Sequence, residues 1–400
     1  MNKEFKISIQ RPGEKGAATA SELLLPATWG ELSDALDRAR IYDERQIYSV
    51  TVLNAKRDYL INHIPGYVNL YELNYLAERL EGLKEWENDA FEALVRMDET
   101  KEETAPVPMD RLINMTYSTS NCHHVHEITN DRELGEFVLE NDFREDLTKL
   151  SEDSARLLDR EKIGREHREA TGGVILKSGY FENSNGEIGD IYNQDALPMP
   201  QKPDYVFRLE IAEAFCNNKP SSDKHITVKL PTDPLVVETV LKTLRAPTWE
   251  RCVCCQLDST ISGLKTMPID LNELEQLNEL ASSIRGIEER GQLPKYKALI
   301  SSVEGPDLQT ALQLATEIDA FIFYPDMAGP ADYADHVLAK RHDIHPGDSW
   351  YPYIDRYGYG CETMEKDYVS QTSYGFIRRT DGGPVLSSKG SSSPVMKFLP

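Results

Sequence analysis

Apolar and polar residues alternate near residues 4–9 and 47–53, where β-branched and aromatic side chains collect, and this period of two predicts short strands. Between them the period lengthens, and a helix is expected from Thr28 to about Ala39. A second helix begins at Leu70, where Leu73, Leu76, Ala77, Leu80 and Leu83 recur at helical spacing. Its start carries a capping signal: Asn69 is placed to accept from free backbone N–H groups, and Glu72 to close a capping box. Val68 and Leu73 would form the flanking hydrophobic staple. Further helices are predicted over 89–97, before a breaker rich in Glu, Thr and Pro at 98–108, and from about Asn130, where Leu134, Phe137 and Val138 share a face.

The pattern then repeats. Leu158, Asp159, Arg160, Gly164, Glu166 and Gly179 align with Ile354, Asp355, Arg356, Gly360, Glu362 and Gly375 at a constant offset of 196. Upstream, the run from Val68 to Leu73 matches the run from Ile269 to Leu274, so Asp270 and Glu273 take the capping positions. Leu25-Pro26 followed by Leu32 and Leu36 matches Leu230-Pro231 followed by Val237 and Leu241. A period near 200 residues is domain duplication, since solenoid units are far shorter. The expected organisation is a first copy at 1–182, a linker at 183–204 rich in Asn, Gly, Asp and Pro, a diverged second copy at 205–379, and a Ser-rich disordered tail at 380–400.

Charge sharpens the contrast between the copies. The chain has 44 Lys and Arg against 67 Asp and Glu, a net −23. Residues 1–200 hold 39 acids and 23 bases, a net −16, while the remainder holds 28 and 21, a net −7. Such a balance disfavours direct nucleic-acid binding and favours a basic partner. On the two predicted helical stretches, acids outnumber bases eleven to four over 69–104 and twelve to five over 127–161. Glu78, Glu81 and Glu85 stack opposite the apolar face of one helix, and Glu133, Glu136 and Glu140 fall toward the polar side of another. Like charges at this spacing cost a helix roughly 0.2 to 0.5 kcal/mol per pair. With Glu87, Glu92 and Asp142 they are the candidate partner-binding carboxylates. Asp159, Gly164, Glu166, Asp355, Gly360 and Glu362 recur in both copies, which fits a structural role or partner binding.

Other chemistry is sparse. No apolar run approaches the ~18 residues that span a bilayer, and the first residues alternate instead of forming a signal peptide, so a cytoplasmic protein with reduced cysteines is expected. Cys122-His123-His124-Val125-His126 and Cys252-Val253-Cys254-Cys255 hold metal-ligating side chains, but only one Cys-x-x-Cys pair exists, and a structural zinc site commonly uses two. They read as ordinary thiols and surface histidines, with no metal and no cofactor. No Gly-rich phosphate loop, His-Glu-x-x-His or nucleophile elbow appears, so no catalytic residue is assigned and the chain is read as a non-enzyme.

An N-terminal β-rich segment, then Asn69-Leu70-Tyr71-Glu72-Leu73-Asn74 and a Glu-rich helical pair, resembles the ArdA family of antirestriction proteins. So does the closing run from Leu158 to Glu166, with Gly172-Gly173 and Gly179-Tyr180 after it. In the second copy the run from Tyr353 to Gly360 is similar, with Cys361 where the family's Arg would stand. The resemblance implies an elongated α+β protein built from small antiparallel β units and helical segments. It also implies a DNA mimic that binds type I restriction-modification enzymes in place of DNA and protects incoming mobile DNA in a bacterial host. ArdA proteins are typically dimers of short chains, so a homodimer or a pseudo-dimer within one polypeptide is expected. The other reading of the charge is an acidic adaptor or chaperone-like protein that binds a different basic protein.

Overall fold

The computed structural model describes residues 3–43, 45–99, 106–148, 150, 152–184, 187–215, 219–220 and 225–386. The predicted disordered tail lies outside them from 387 onward. The protein is α+β, with small sheets alternating with groups of helices. The first half runs β1 (Phe5–Gln10), α1 (Glu14–Ala18), β2 (Ser21–Leu25), α2 (Trp29–Arg38), β3 (Ser49–Ala55), α3 (Leu70–Glu81), α4 (Glu85–Glu99), α5 (Met109–Tyr117) and β4 (Cys122–His126). It continues through α6 (Asp131–Glu140), two single-turn helices α7 (Glu145–Thr148) and α8 (Glu152–Ala155), α9 (Arg160–Thr171), β5 (Val174–Leu176) and β6 (Gly179–Asn183).

The second half repeats that order, with a short strand in place of α1 and no α-helical counterpart of α7 and α8 among the described residues. It runs β7 (Phe207–Phe215), a two-residue β8 (Lys219–Pro220), β9 (Ile226–Leu230), α10 (Pro234–Leu244), β10 (Cys252–Ser259), α11 (Leu274–Glu289), α12 (Leu293–Ser301) and α13 (Leu308–Thr316). Then come β11 (Phe321–Tyr324), α14 (Pro330–Val337), α15 (Arg356–Lys366), β12 (Ser370–Thr372) and β13 (Gly375–Arg379). The sheets correspond as well: β2-β1-β3 matches β9-β7-β10, and β4-β6-β5 matches β11-β13-β12. Register is kept, since Phe181 on β6 faces His124 and Val174, and Ile377 on β13 faces Phe323 and Ser370.

Local devices recur with the order. Leu25-Pro26 and Leu230-Pro231 are both cis. The residue after each is held by one asparagine side chain. The Ala27 N–H donates to Asn74 Oδ1 at 2.7 Å and Asn74 Nδ2 donates back to the Ala27 carbonyl at 3.2 Å; Thr232 and Asn278 do the same at 2.8 and 2.9 Å. A side-chain amide carries its acceptor and its donor on neighbouring atoms, so it can satisfy the N–H and the carbonyl of one backbone residue together. Asn74 and Asn278 therefore fix the helix register, with an offset of 204 instead of the 201 that the capping signals give. The difference is one turn. Asn69 caps α3 itself, whereas Asp270 caps a 3-10 turn, Leu271–Glu273, that precedes α11. Glu72 does not close the expected box: it is buried and accepts the Tyr192 hydroxyl at 2.9 Å.

Two compact units emerge, and their boundaries cut across the sequence copies. One comprises 1–8, 22–27 and 49–200, the other 9–21, 28–48 and 201–400. In the first unit, Leu73, Leu76, Ala77 and Leu80 of α3 are buried as the helical period predicts. Residues 187–200 belong to the same unit, where Asn114 accepts the Tyr192 N–H at 2.7 Å and donates to its carbonyl at 2.9 Å. In the second unit one continuous core joins β7, β9, α10, α11, α12 and α13 through Leu209, Val228, Val240, Leu277, Leu299 and Leu314. Helix α2 belongs to this unit, although it lies in the first copy by sequence.

Candidate acidic interaction surface

The nine candidate carboxylates fall into two sets. Five are engaged by the fold of their own unit. Glu78 accepts from Asn74 Nδ2 at 2.9 Å, and desolvation, opposed by that bond and helped by the charge of Glu81, holds its carboxyl above the usual range. Glu87 accepts the Lys84 N–H at 2.8 Å at the start of α4, and Glu92 pairs with Arg96 one turn on at 2.8 Å. Glu133 accepts the N–H and hydroxyl of Thr129 at 2.7 and 2.9 Å, and these bonds lower its pKa. Glu136 pairs with Arg160 at 2.9 Å. These groups cap and brace helices.

The side chains of the other four are exposed and make no hydrogen bond or ion pair among the described residues: Glu81, Glu85, Glu140 and Asp142. Glu85 does not share a helix with Glu78 and Glu81, because α3 ends at Glu81 and Glu85 opens α4. Glu81 is the last residue of α3 and Glu140 the last of α6. There the helix dipole presents its negative end, so a carboxylate is placed against the local field. Asp142, two residues past α6, sits in the left-handed region at φ +57°, where glycine is the unstrained choice. Selection for stability alone would put Lys or Arg at the first two positions and Gly at the third. Three further acids of this unit, Asp89, Glu127 and Glu169, also lack an ion pair among the described residues, although they were not among the sequence candidates.

The recurring residues sit at one structural junction. Asp159 caps α9 by accepting the Lys162 N–H at 3.1 Å, and Asp355 caps α15 by accepting the Gly358 N–H at 2.9 Å. Gly164 lies where α9 crosses α6: a Cβ there would come within 1.8 Å of the Asp131 carbonyl, and one on Gly135 within 1.8 Å of the Arg160 carbonyl. Gly360 approaches the Pro330 carbonyl of α14 in the same way, at 2.1 Å. Beside each crossing runs a charged pair, Asp131 with Arg168 at 2.8 Å and Asp335 with Arg356 at 3.0 Å. Glu166 reaches Arg144 at 3.4 Å, and Glu362 reaches Lys366 at 2.6 Å, which lowers the Glu362 pKa.

The histidines and thiols are spread over packing roles. His124 stacks on Phe181 with ring centres 4.0 Å apart, while His123 and His167 approach Glu182 at 3.6 and 3.5 Å. Burial raises the Cys122 thiol to about 12 and also raises Cys252 and Cys254, so these are poor thiolates near neutral pH. Among the described residues no three His, Cys, Asp or Glu side chains converge as a metal site would require. A cavity of about 420 Å³ in the second unit is lined by Trp29, Tyr205, Arg285, Glu288 and Lys202, and the last two pair with each other at 2.8 Å. No helix among the described residues is long and apolar enough to cross a membrane.

Compared with protein-family models and with curated proteins, the chain gives no match.

Proposed function

We propose that the protein is a DNA mimic of the antirestriction kind, which occupies the DNA-binding groove of a type I restriction-modification enzyme in the cytoplasm of a bacterial host. The observation that carries this reading is the set of exposed, unpaired carboxylates at Glu81, Glu140 and Asp142, held where local physics disfavours them. Charge kept at a cost to the fold is charge with another use. Residues 49–200 carry 31 acids against 16 bases, a net −15, so these groups stand in a field that attracts a basic groove over distance. The resemblance to the ArdA family supplies the type of groove.

The test is displacement of a labelled duplex from a type I restriction-modification complex by the full-length protein at low and moderate salt. Displacement that weakens as salt rises supports mimicry. A folded protein that displaces nothing from several such enzymes, yet binds another basic protein, overturns it in favour of an acidic adaptor.

A further inference from the structure

Helix α2 and its counterpart α10 have opposite fates. In the second unit, α2 lies against three elements: the turn after β10, helix α12, and the tight turn between β12 and β13. Gly30 fits so closely that a Cβ would be 3.3 Å from the Thr260 carbonyl. Asp37 meets Lys297 Nζ at 2.6 Å, Asp34 meets it at 3.6 Å, and Glu31 meets Lys265 at 3.9 Å. The Tyr374 hydroxyl donates to Asp34 at 2.5 Å, and Arg40, in the left-handed region at φ +63°, donates to the Ser373 carbonyl at 2.7 Å. This is a docked helix with a polar, charge-paired seam.

The matched cis prolines set α10 in register with α2 at an offset of 205. Leu235 then stands for Gly30, Val236 for Glu31, Lys242 for Asp37 and Arg245 for Arg40. None of these is covered. Leu235 is 66% exposed and Val236 45% exposed, and Lys242 and Arg245 are exposed with no side-chain hydrogen bond or ion pair among the described residues. Arg245 even keeps the left-handed backbone of Arg40, at φ +58°.

The receiving surface also has an empty twin, in the first unit. The paired N–H groups of Lys56 and Thr260, which donate to Glu4 and Val206, align the turns after β3 and β10, so Ile61 stands for Lys265. The matched starts of α4 and α12 put Asp89 in place of Lys297, and the hairpin turns put Lys177 in place of Ser373. Ile61 is 40% exposed, and Asp89 lacks an ion pair among the described residues.

Three of these changes on the helix are answered on the surface, while Thr239 in place of Asp34 and Ser178 in place of Tyr374 leave that contact uncharged. The ion pair Glu31 with Lys265 becomes an apolar pair, Val236 with Ile61. The pair Asp37 with Lys297 becomes Lys242 with Asp89, its charges exchanged. The Arg40 contact to a carbonyl needs no side-chain partner, and Lys177 still supplies that carbonyl. Leu235 is bulkier than Gly30, and Lys56 stands on the surface where Thr260 meets Gly30.

We propose that α10 of one chain docks on the surface formed by Ile61, Asp89 and the turn at Lys177 of a second copy of the chain, by the contacts α2 makes within its own. Donor and receptor are different surfaces, so the association is heterologous and runs head to tail, giving a ring or an open fibre instead of a two-fold dimer. The proposal does not depend on DNA mimicry.

The full-length protein in sedimentation velocity should show mass that grows with concentration beyond the monomer. Lys242→Glu and Asp89→Lys each set like charges face to face, and each should weaken association roughly tenfold or more. Mixing the two variants should restore it, because the two exchanged charges then face each other at one junction and the two native charges face each other at the next. Unchanged melting profiles of the variants show that folding is intact. A wild-type protein that stays monomeric, single variants that associate like wild type, or a mixture that does not recover would each overturn the proposal.

Discussion

Lys297 concentrates more buried charge than any apolar core tolerates without partners. Its side chain is 1% exposed, and its ammonium serves Asp37 and Asp34, which are 13% and 6% exposed. Burial outweighs the attraction of Lys297 and raises the Asp37 pKa, and burial also raises the Tyr374 phenol. Removing the cation would leave two carboxylates facing each other in a dry site. Lys297→Met should therefore cost about 3 kcal/mol at neutral pH, the scale for breaking a buried pair. The loss should shrink on acidification. A carboxyl whose folded pKa lies above its unfolded value is protonated first in the folded state, so its contribution is complete below the unfolded value near 3.8 and is lost as pH rises through the raised one. Chemical denaturation at mildly acidic and at neutral pH reads this directly. A Lys297→Met penalty that is the same at both would mean that the carboxylates are not the source.

At the level of elements, the helix crossings explain why two glycines recur 196 residues apart. Gly164→Ala would drive a methyl into the Asp131 carbonyl, and Gly360→Ala into that of Pro330; both contacts are backbone, which cannot swing aside. Each should destabilise its helix pair by about 3 kcal/mol, at the upper end for overpacking. A thermal melt that moves by less than a degree for either variant would show that the helices can separate at no cost. These crossings were half legible in the sequence, since the offset marked Gly164 and Gly360 as a unit but left open whether they pack or bind. Periodicity gave α3 its buried face through Leu80, yet ran it on to Leu83 and Glu85, because the end of the helix at Gly82 leaves the apolar period almost intact. The extra turn before α11 was invisible, since Asp270 and Asn69 are equally good caps and only the asparagine bridges reveal the register. The docking of α2 was out of reach for a different reason: Asp37 and Lys297 are 260 residues apart, and nothing local to either announces the other.

For the whole molecule, the decisive question is whether stability and binding respond to the same charges with opposite signs. Replacing Glu81 and Glu140 by Gln removes two carboxylates from the negative ends of helix dipoles, a gain of about 0.3 kcal/mol each at exposed sites. Asp142→Gly relieves a left-handed position and adds roughly 0.5 kcal/mol. The triple variant should thus melt slightly higher than the wild type. Its effect on a basic groove runs the other way. Exposed ion pairs contribute about 0.5 kcal/mol apiece, so losing three weakens displacement of DNA roughly tenfold, while any one alone falls close to the noise. The salt dependence should flatten in step, as fewer charges take part. The full chain is the right material for this, because a cut near residue 190 would strip Tyr192 from Asn114 and Glu72 and would separate Asp37 from Lys297. A triple variant that melts higher yet displaces DNA as well as the wild type would break the link between the misplaced charges and the groove, and would leave the acidity with no role beyond solubility.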